Sequence, residues 1–281
     1  MTICIAAKAS FGDIIVTVSD RSLSHGDLVP ASDDTLKAYQ LWYSWGLLYS
    51  ANDIGPVPGI VSAVRTELHP VRENLTVEVV REAFRKAWRK SATERAADRY
   101  LARLGFSSIE HFRQIGFHEL GEAEFARLSQ KIETFDPEIS FLVYGFDQDV
   151  AHQAHIFEVN TPNDGRDLIT DDDIQGFGVI GSGLWPALGV LKSRSVGGLH
   201  EADEVAYALC EAKFAAESAS GVGKATTIMA FSRSGKNVQF TPAEIEQIRG
   251  IWEETRKQIV PDDASTLLLN KLNKLISDED P

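Results

Sequence analysis

Residues 1–21 read MTICIAAKASFGDIIVTVSDR, and this stretch decides what kind of sheet the chain builds. Two apolar runs, Thr2–Ala9 and Asp13–Asp20, are separated only by Ser10-Phe11-Gly12. So short a link joins antiparallel strands, because a parallel pair needs a crossover of roughly a dozen residues or more. The chain is expected to begin inside a core strand, with no polar leader and none of the basic and apolar regions of a secretory signal. Chain ends are ordinarily loose, so a terminus set on a strand is expected to be placed for a purpose.

The hairpin pattern repeats outward from there. A polar loop is expected over Ser24–Asp34, then strands Leu36–Trp42 and Gly46–Ala51 around Tyr43-Ser44-Trp45. Asn52-Asp53 and Pro56 mark a helix over Asp53–His69. In Thr76–Lys90 the residues Val77, Val80, Phe84 and Trp88 fall at helical spacing; Ala97, Tyr100, Leu101 and Leu104 continue it, and Gly105 stops it. Further helical turns run from about 108 to 132. Strands are expected at Ile139–Phe146, His155–Asn160 and Gly178–Ile180. Helices follow at Pro186–Lys192 and Glu201–Ala216, the second with Glu201, Asp203 and Glu204 at its positive N-terminal end. Ala225–Phe231 and Asn237–Phe240 close the strand set, and a helical tail from Pro242 ends in ISDEDP.

Strands that come in sequential pairs do not fit the alternating βαβ pattern of a doubly wound sheet. The fold class is therefore α+β, with two antiparallel sheets packed face to face and helices outside. One domain is expected over 1–281, with a helical insertion at about 76–136 and a helical C-terminal extension at about 242–281.

Composition narrows the function. Lys plus Arg is 28 and Asp plus Glu is 41, a net charge of −13. An acidic surface repels phosphates, which argues against a nucleic-acid partner. No apolar run reaches membrane-spanning length. Cys4 and Cys210 both lie in apolar stretches and read as buried free thiols in a reducing compartment. A cytoplasmic protein is expected.

Three motifs mislead. GFGVIG, with Gly176, Gly178 and Gly181, matches a dinucleotide-binding pattern, but TDDDIQ before it is no strand. SASGVGKAT resembles a phosphate loop, yet Ser218 and Ala225 occupy positions that need Gly and Ser or Thr. Asp171-Asp172-Asp173 lacks the ligand spacing of a calcium loop and reads as a solvated acidic turn. The seven histidines show no metal-binding spacing. Neither a metal nor an organic cofactor is expected.

Initiator methionine is commonly trimmed before a small residue, and Thr2 is small. Trimming would leave a free α-amine beside the Thr2 hydroxyl. A hydroxyl is a weak nucleophile at its own pKa, and a terminal amine that titrates near about 8 can take its proton. Downstream lie Ser19-Asp20-Arg21, Lys37 in DTLKAYQL, Gly181-Ser182-Gly183 before a helix, and Glu217-x-x-Ser220-Gly221 where a helix meets a strand. In this order and spacing the chain resembles the proteasome β-subunit family and its bacterial HslV and Anbu relatives, within the N-terminal nucleophile hydrolases. The resemblance covers roughly 2–68 and 139–233 and is weak to absent over about 76–136 and beyond about 240.

The resemblance implies a four-layer αββα sandwich and a set of roles. Thr2 matches the nucleophile. Lys37 matches the lysine that lowers the proton affinity of the amine and hydroxyl, and Asp20 the aspartate that holds that lysine. Ser182 matches the serine near the amine that shuttles protons, and Ser220 with Gly221 the pair that supports the terminus. Glu217 stands where the family has aspartate. The oxyanion-hole glycine aligns with Ala51, or with Ser50, in LLYSAND; a backbone donor survives a Cβ, though a side chain there crowds substrate.

Three functions follow from different classes. The first is a threonine-type hydrolase of peptide or amide bonds. The second is a catalytically inactive assembly subunit that keeps Met1. The third is a small-molecule amidase of the same superfamily, for which Cys4, expected to point away from the terminus, is a poor nucleophile. A homo-oligomer, such as a ring, a peptide or protein substrate and a separate ATPase are the implied partners; no ATPase motif lies in this chain. The charges Arg81, Glu82, Arg85, Lys86, Arg89 and Lys90 flank the Phe84 and Trp88 stripe. The insertion is expected to shape subunit contacts or cap the active-site mouth.

Overall fold

The computed structural model describes residues 2–25, 29–32, 35–148, 153–161 and 167–255. Met1 and the tail beyond Thr255 lie outside the described residues, as does part of the loop expected over Ser24–Asp34. The chain divides into two compact units, one ending at Phe240 and one beginning at Thr241.

The opening hairpin is β1 (Cys4–Ala9) and β2 (Ile14–Asp20), joined by a 3-10 turn over Ser10–Gly12 in which Ser10 and Phe11 take positive φ. Every residue of β1 is buried. A strand covered on both faces needs no polar alternation, so the apolar run reads as it does. Within the expected polar loop the chain instead forms two short paired strands, β3 (Leu23–His25) and β4 (Val29–Ser32). Strands of three and four residues are too short for apolar alternation to show in the sequence.

The second hairpin is β5 (Ala38–Trp42) and β6 (Trp45–Ala51). Helix α1 (Val57–Leu68) starts four residues later than the sequence suggests. The Asp53 carboxylate accepts from Gly55 N–H at 2.9 Å, an Asx turn that holds the chain out of the helix until Pro56. Helix α2 (Val77–Tyr100) is one continuous element of 24 residues. Its first N–H, from Val77, donates to Asp147 at 2.6 Å, a cap supplied from a distant loop. Gly105, in the left-handed conformation, closes the turn that follows. Then come α3 (Ile109–Leu120) and α4 (Glu122–Glu133).

Strands resume with β7 (Ile139–Phe146), β8 (Ala154–Val159), β9 (Ile169–Asp171) and β10 (Phe177–Ile180). β9 has three residues, too few for any periodicity to show in the sequence. Helices α5 (Leu184–Ser193) and α6 (Ala202–Ala216) precede β11 (Thr226–Ser232) and β12 (Asn237–Gln239). Glu201 and Glu204 cap α6 reciprocally. The second unit contributes α7 (Pro242–Thr255), opened by Thr241 and Glu244 bonding each other's backbone nitrogen. Among the described residues no helix is long and apolar enough to cross a membrane.

Two five-stranded antiparallel sheets result, ordered β10-β1-β2-β11-β12 and β5-β6-β7-β8-β9, with seven α-helices among the described residues. Cys4, Ala6, Ile15 and Ile180 of the first sheet share one core cluster with Leu48, Leu142, Tyr144 and Ile156 of the second. The alternate residues of the second sheet, including Leu47, Phe141, Val143 and Phe157, pack with Val64 of α1 and Phe84 and Trp88 of α2. Period-two alternation divides β6, β7 and β8 between these two clusters. Helix α6 lies against β1 and β2, and α5 lies against α6 and β10.

The stretch expected as one insertion therefore has two parts. The first half of α2 belongs to the core of the second sheet: Phe84 packs on Phe141 and Phe157, and Trp88 on Phe141. Residues 101–132 hold a small cluster of their own around Leu101, Phe106, Ile109, Phe112 and Leu128.

Candidate active site

Three strand ends converge where β1 begins. Cys4 pairs with Ser19 on one side and Ile180 on the other. Asp20, at the end of β2, therefore flanks Thr2 and Ile3 on one side, and Gly181-Ser182, just past β10, flanks them on the other. The Tyr49 N–H donates to the Lys37 carbonyl at 3.1 Å, which fixes Lys37 at the matching end of the second sheet.

Thr2, Asp20 and Lys37 are all buried, with relative exposures of 3%, 0% and 3%. Asp20 Oδ1 accepts from Ile3 N–H at 2.9 Å, from Lys37 Nζ at 2.9 Å and from the Thr2 hydroxyl. Oδ2 accepts from Lys37 Nζ at 3.0 Å, Ser22 N–H at 3.2 Å and Gly223 N–H at 3.3 Å. Burying an ion pair is costly unless hydrogen bonds satisfy both members, and Asp20 meets that condition on both oxygens. Lys37 Nζ also donates to Thr2 Oγ1. The hydroxyl thus lies between an ammonium and a carboxylate, and a positive charge at that position favours the alkoxide.

Ser182 stands on the other side. The Thr2 backbone nitrogen donates to Ser182 Oγ at 3.2 Å, and Ser182 Oγ donates back to the Thr2 carbonyl at 3.3 Å. That carbonyl also accepts from Gly183 N–H at 3.2 Å. Gly181 has φ +105°, and a Cβ there would sit 2.3 Å from the Thr2 carbonyl oxygen. The glycine run that mimics a nucleotide motif flanks and enters β10, and its last member serves this close approach.

Of the expected residues, the structure thus brings Thr2, Asp20, Lys37 and Ser182 together. Glu217 is ion-paired instead with Lys213, one turn earlier on α6. Ser220 is exposed, and Gly221 after it has positive φ. The residue of that loop which reaches Asp20 is Gly223, through its N–H. Nothing in the sequence singles Gly223 out, because its role is a backbone donor and its constraint is spatial: a Cβ would lie 1.5 Å from Ser22 Oγ.

Ala51 is the last residue of β6, paired with Ile139 of β7. N–H groups alternate in direction along an antiparallel strand. Since Tyr49 donates to Lys37 and Asn52 to Glu138 on β7's side, the Ala51 N–H is directed to the Lys37 side, beyond the first residue of β5.

Cys4 corrects one expectation. Residues two apart on a strand share a face, so Cys4 lies on the same face as Thr2. Its thiol donates to the Tyr49 carbonyl at 3.4 Å, and burial pushes its pKa up, leaving a neutral thiol beside the site.

The acidic triplet is a second correction. Asp172 is buried, and burial, with Glu158 nearby, pushes its carboxyl up to about 8. Asp173 accepts from Lys8 at 2.7 Å, His155 Nδ1 at 2.6 Å and Ile156 N–H at 2.7 Å. Burial acts against its ionised form, but the bonds from His155 and Lys8 prevail and hold it at about 2. His155 Nε2 in turn meets Asp147 at 3.2 Å. This network joins β1, β8 and the N-terminus of α2; it is not a solvated turn.

No family model matches the sequence, and no curated protein matches it. Among solved structures the chain is similar to the crystal structure of eukaryotic HslV from Trypanosoma brucei, with 12% identity and a TM-score of 0.49. The match covers 82% of this chain and 99% of that one.

Proposed function

We propose that the protein is a proteasome-like N-terminal nucleophile hydrolase that cleaves a peptide or other amide bond with Thr2 after Met1 is removed. The observation that carries the reading is the Thr2 hydroxyl held between Lys37 Nζ and the Asp20 carboxylate, with Ser182 Oγ on the Thr2 nitrogen. The four-layer αββα arrangement of that superfamily is part of the proposal; the shared cluster between the sheets and the helices on their outer sides support it.

With Met1 gone, the Thr2 nitrogen becomes an α-amine already within hydrogen-bond reach of Ser182. Thr2 Oγ attacks the scissile carbonyl, and the amine accepts the hydroxyl proton, passing it through Ser182 to the leaving nitrogen. Lys37 opposes protonation of the amine by its charge and stabilises the oxygen as it loses its proton. The Ala51 N–H, directed to the same side of β6 as Lys37, is the proposed donor to the oxyanion. The resulting ester links Thr2 to the acyl portion, and water attacks it with the amine again as base, releasing acid and free Thr2.

The test is intact mass followed by labelling with a threonine-directed epoxyketone or lactone. Loss of one methionine and a covalent adduct that disappears in Thr2→Ala establish the hydrolase. Retention of Met1 in protein from its native source selects the inactive assembly subunit. The proposal extends to a homo-oligomer, supported by the exposed side chains of Phe11, Trp185 and Leu199, apolar surface of the kind that subunit contacts cover. Native mass spectrometry reads that directly.

A further inference from the structure

Helix α6 ends at Ala216 and β11 begins at Thr226. Lys213 sits in the last turn of that helix and is fully buried. A lysine so placed keeps its charge only with partners. Its Nζ donates to the Lys224 carbonyl at 2.7 Å and to the Glu217 carboxylate, and lies 5.8 Å from the Phe214 ring centre. One ammonium therefore grips both ends of the loop between α6 and β11.

That loop reaches the candidate active site through Gly223 N–H, on Asp20 Oδ2 at 3.3 Å. Two residues further on, the Ala225 carbonyl accepts from Arg21 N–H at 3.0 Å, which seats the same loop beside the end of β2. Gly223 has no freedom toward Ser22, whose Oγ lies 1.5 Å from where a Cβ would be. A shift of the loop either strikes Ser22 or withdraws the N–H from Asp20.

We propose that Lys213 is a positioning residue for the Thr2 site, acting through the loop that presents Gly223 N–H to Asp20; this rests on the reading of Thr2 as nucleophile. A buried ion pair adds little net stability over apolar side chains of equal volume, so what Lys213 contributes is placement. Glu217, expected beside the terminus, instead anchors Lys213 in this role.

Lys213→Met alone removes the cation from the part-buried Glu217 carboxylate, so the test is the double variant K213M/E217M, which removes the pair together. Two quantities are read: hydrogen exchange of the Gly223 amide by NMR, and the pH profile of Thr2 labelling by an epoxyketone. The Gly223 amide is expected to exchange at least about tenfold faster in the double variant while the sheet amides stay protected. Asp20, with one donor fewer, places more negative charge on Lys37 and the amine, so the rising limb of the profile moves to higher pH. Lys213→Arg is expected to restore both in part. Unchanged Gly223 protection overturns the proposal, and so does faster exchange with an unmoved profile. If the wild-type protein takes no label, the hydrolase reading fails, and the Gly223 exchange rate still decides whether Lys213 holds the loop.

Discussion

The Asp20 carboxylate meets the Lys37 ammonium with both oxygens, at 2.9 Å and 3.0 Å, and the two side chains are buried together. The two partners are not equally dependent on each other. Asp20 without Lys37 keeps the N–H groups of Ile3, Ser22 and Gly223. Lys37 without Asp20 is left with the Thr2 hydroxyl as its remaining partner in the site.

Asp20→Ala is therefore predicted to destabilise more than Lys37→Met. Removing one member of a buried pair costs about 3–5 kcal/mol, and Asp20→Ala should fall at the upper end and Lys37→Met below it in urea titrations. Both should slow Thr2 labelling by at least about 100-fold, the lower range for loss of proton-transfer assistance. Equal labelling by Lys37→Met and wild type would remove Lys37 from the mechanism.

Gly223→Ala places a Cβ 1.5 Å from Ser22 Oγ and 2.5 Å from Ser22 Cβ. Overpacking of this kind costs about 1–3 kcal/mol. The obstruction is a side chain, so Ser22→Gly in the same chain should recover most of the loss in melting temperature and in labelling rate. No recovery would mean that the Gly223 backbone itself cannot tolerate alanine.

The buried network around the acidic triplet gives a pH signature. Asp173, lowered from 3.8 to about 2, adds stability that is present above 3.8 and lost as pH falls toward about 2. Asp172, raised from 3.8 to about 8, acts in the opposite sense, since its folded form holds the proton; stability declines as pH rises across that window. His155 is also raised above 6.5: burial opposes its charge, but Asp173 and Asp147 prevail, so its contribution is full below 6.5 and lost at higher pH. Asp172→Asn should therefore melt above wild type at pH 8 by a margin that shrinks toward pH 4.5, as calorimetry at the two values would show.

The two parts of the 76–136 stretch should respond differently to truncation. Phe84→Ala or Trp88→Ala opens a cavity against Phe141 and should cost about 3–5 kcal/mol of global stability. Phe112→Ala disturbs the smaller cluster of α3 and α4. It should speed hydrogen exchange in those helices while leaving the sheet amides near their wild-type rates. A uniform rise in exchange would show that the two clusters unfold together.

The order of apolar runs and turns was enough to read the two hairpins and the helices between the strands, whereas the grouping of Thr2, Asp20, Lys37 and Ser182 came from a family resemblance in residue order and spacing. Short links make β1 and β2, and β5 and β6, neighbours, but the pairings of β1 with β10 and of β2 with β11 join segments far apart in the chain and set Ser182 beside Thr2. Other features were not legible. Strands β3, β4 and β9 have only three or four residues each and carry too little pattern. The Gly223 N–H is a main-chain group that any residue possesses, and only its position makes it a partner of Asp20. Asp172 and Asp173 read as solvent-facing acids, because charge is ordinarily exposed and burial is decided by what packs above it, while Glu217 was expected at the site. Lys213 for Glu217, and His155 with Lys8 for Asp173, are partners that folding brings alongside. The sequence by itself determined the local hairpins and the chemistry available at the first strand. Tertiary structure alone decided which charges are buried and which backbone donors face them, since burial and direction depend on segments far apart in the chain.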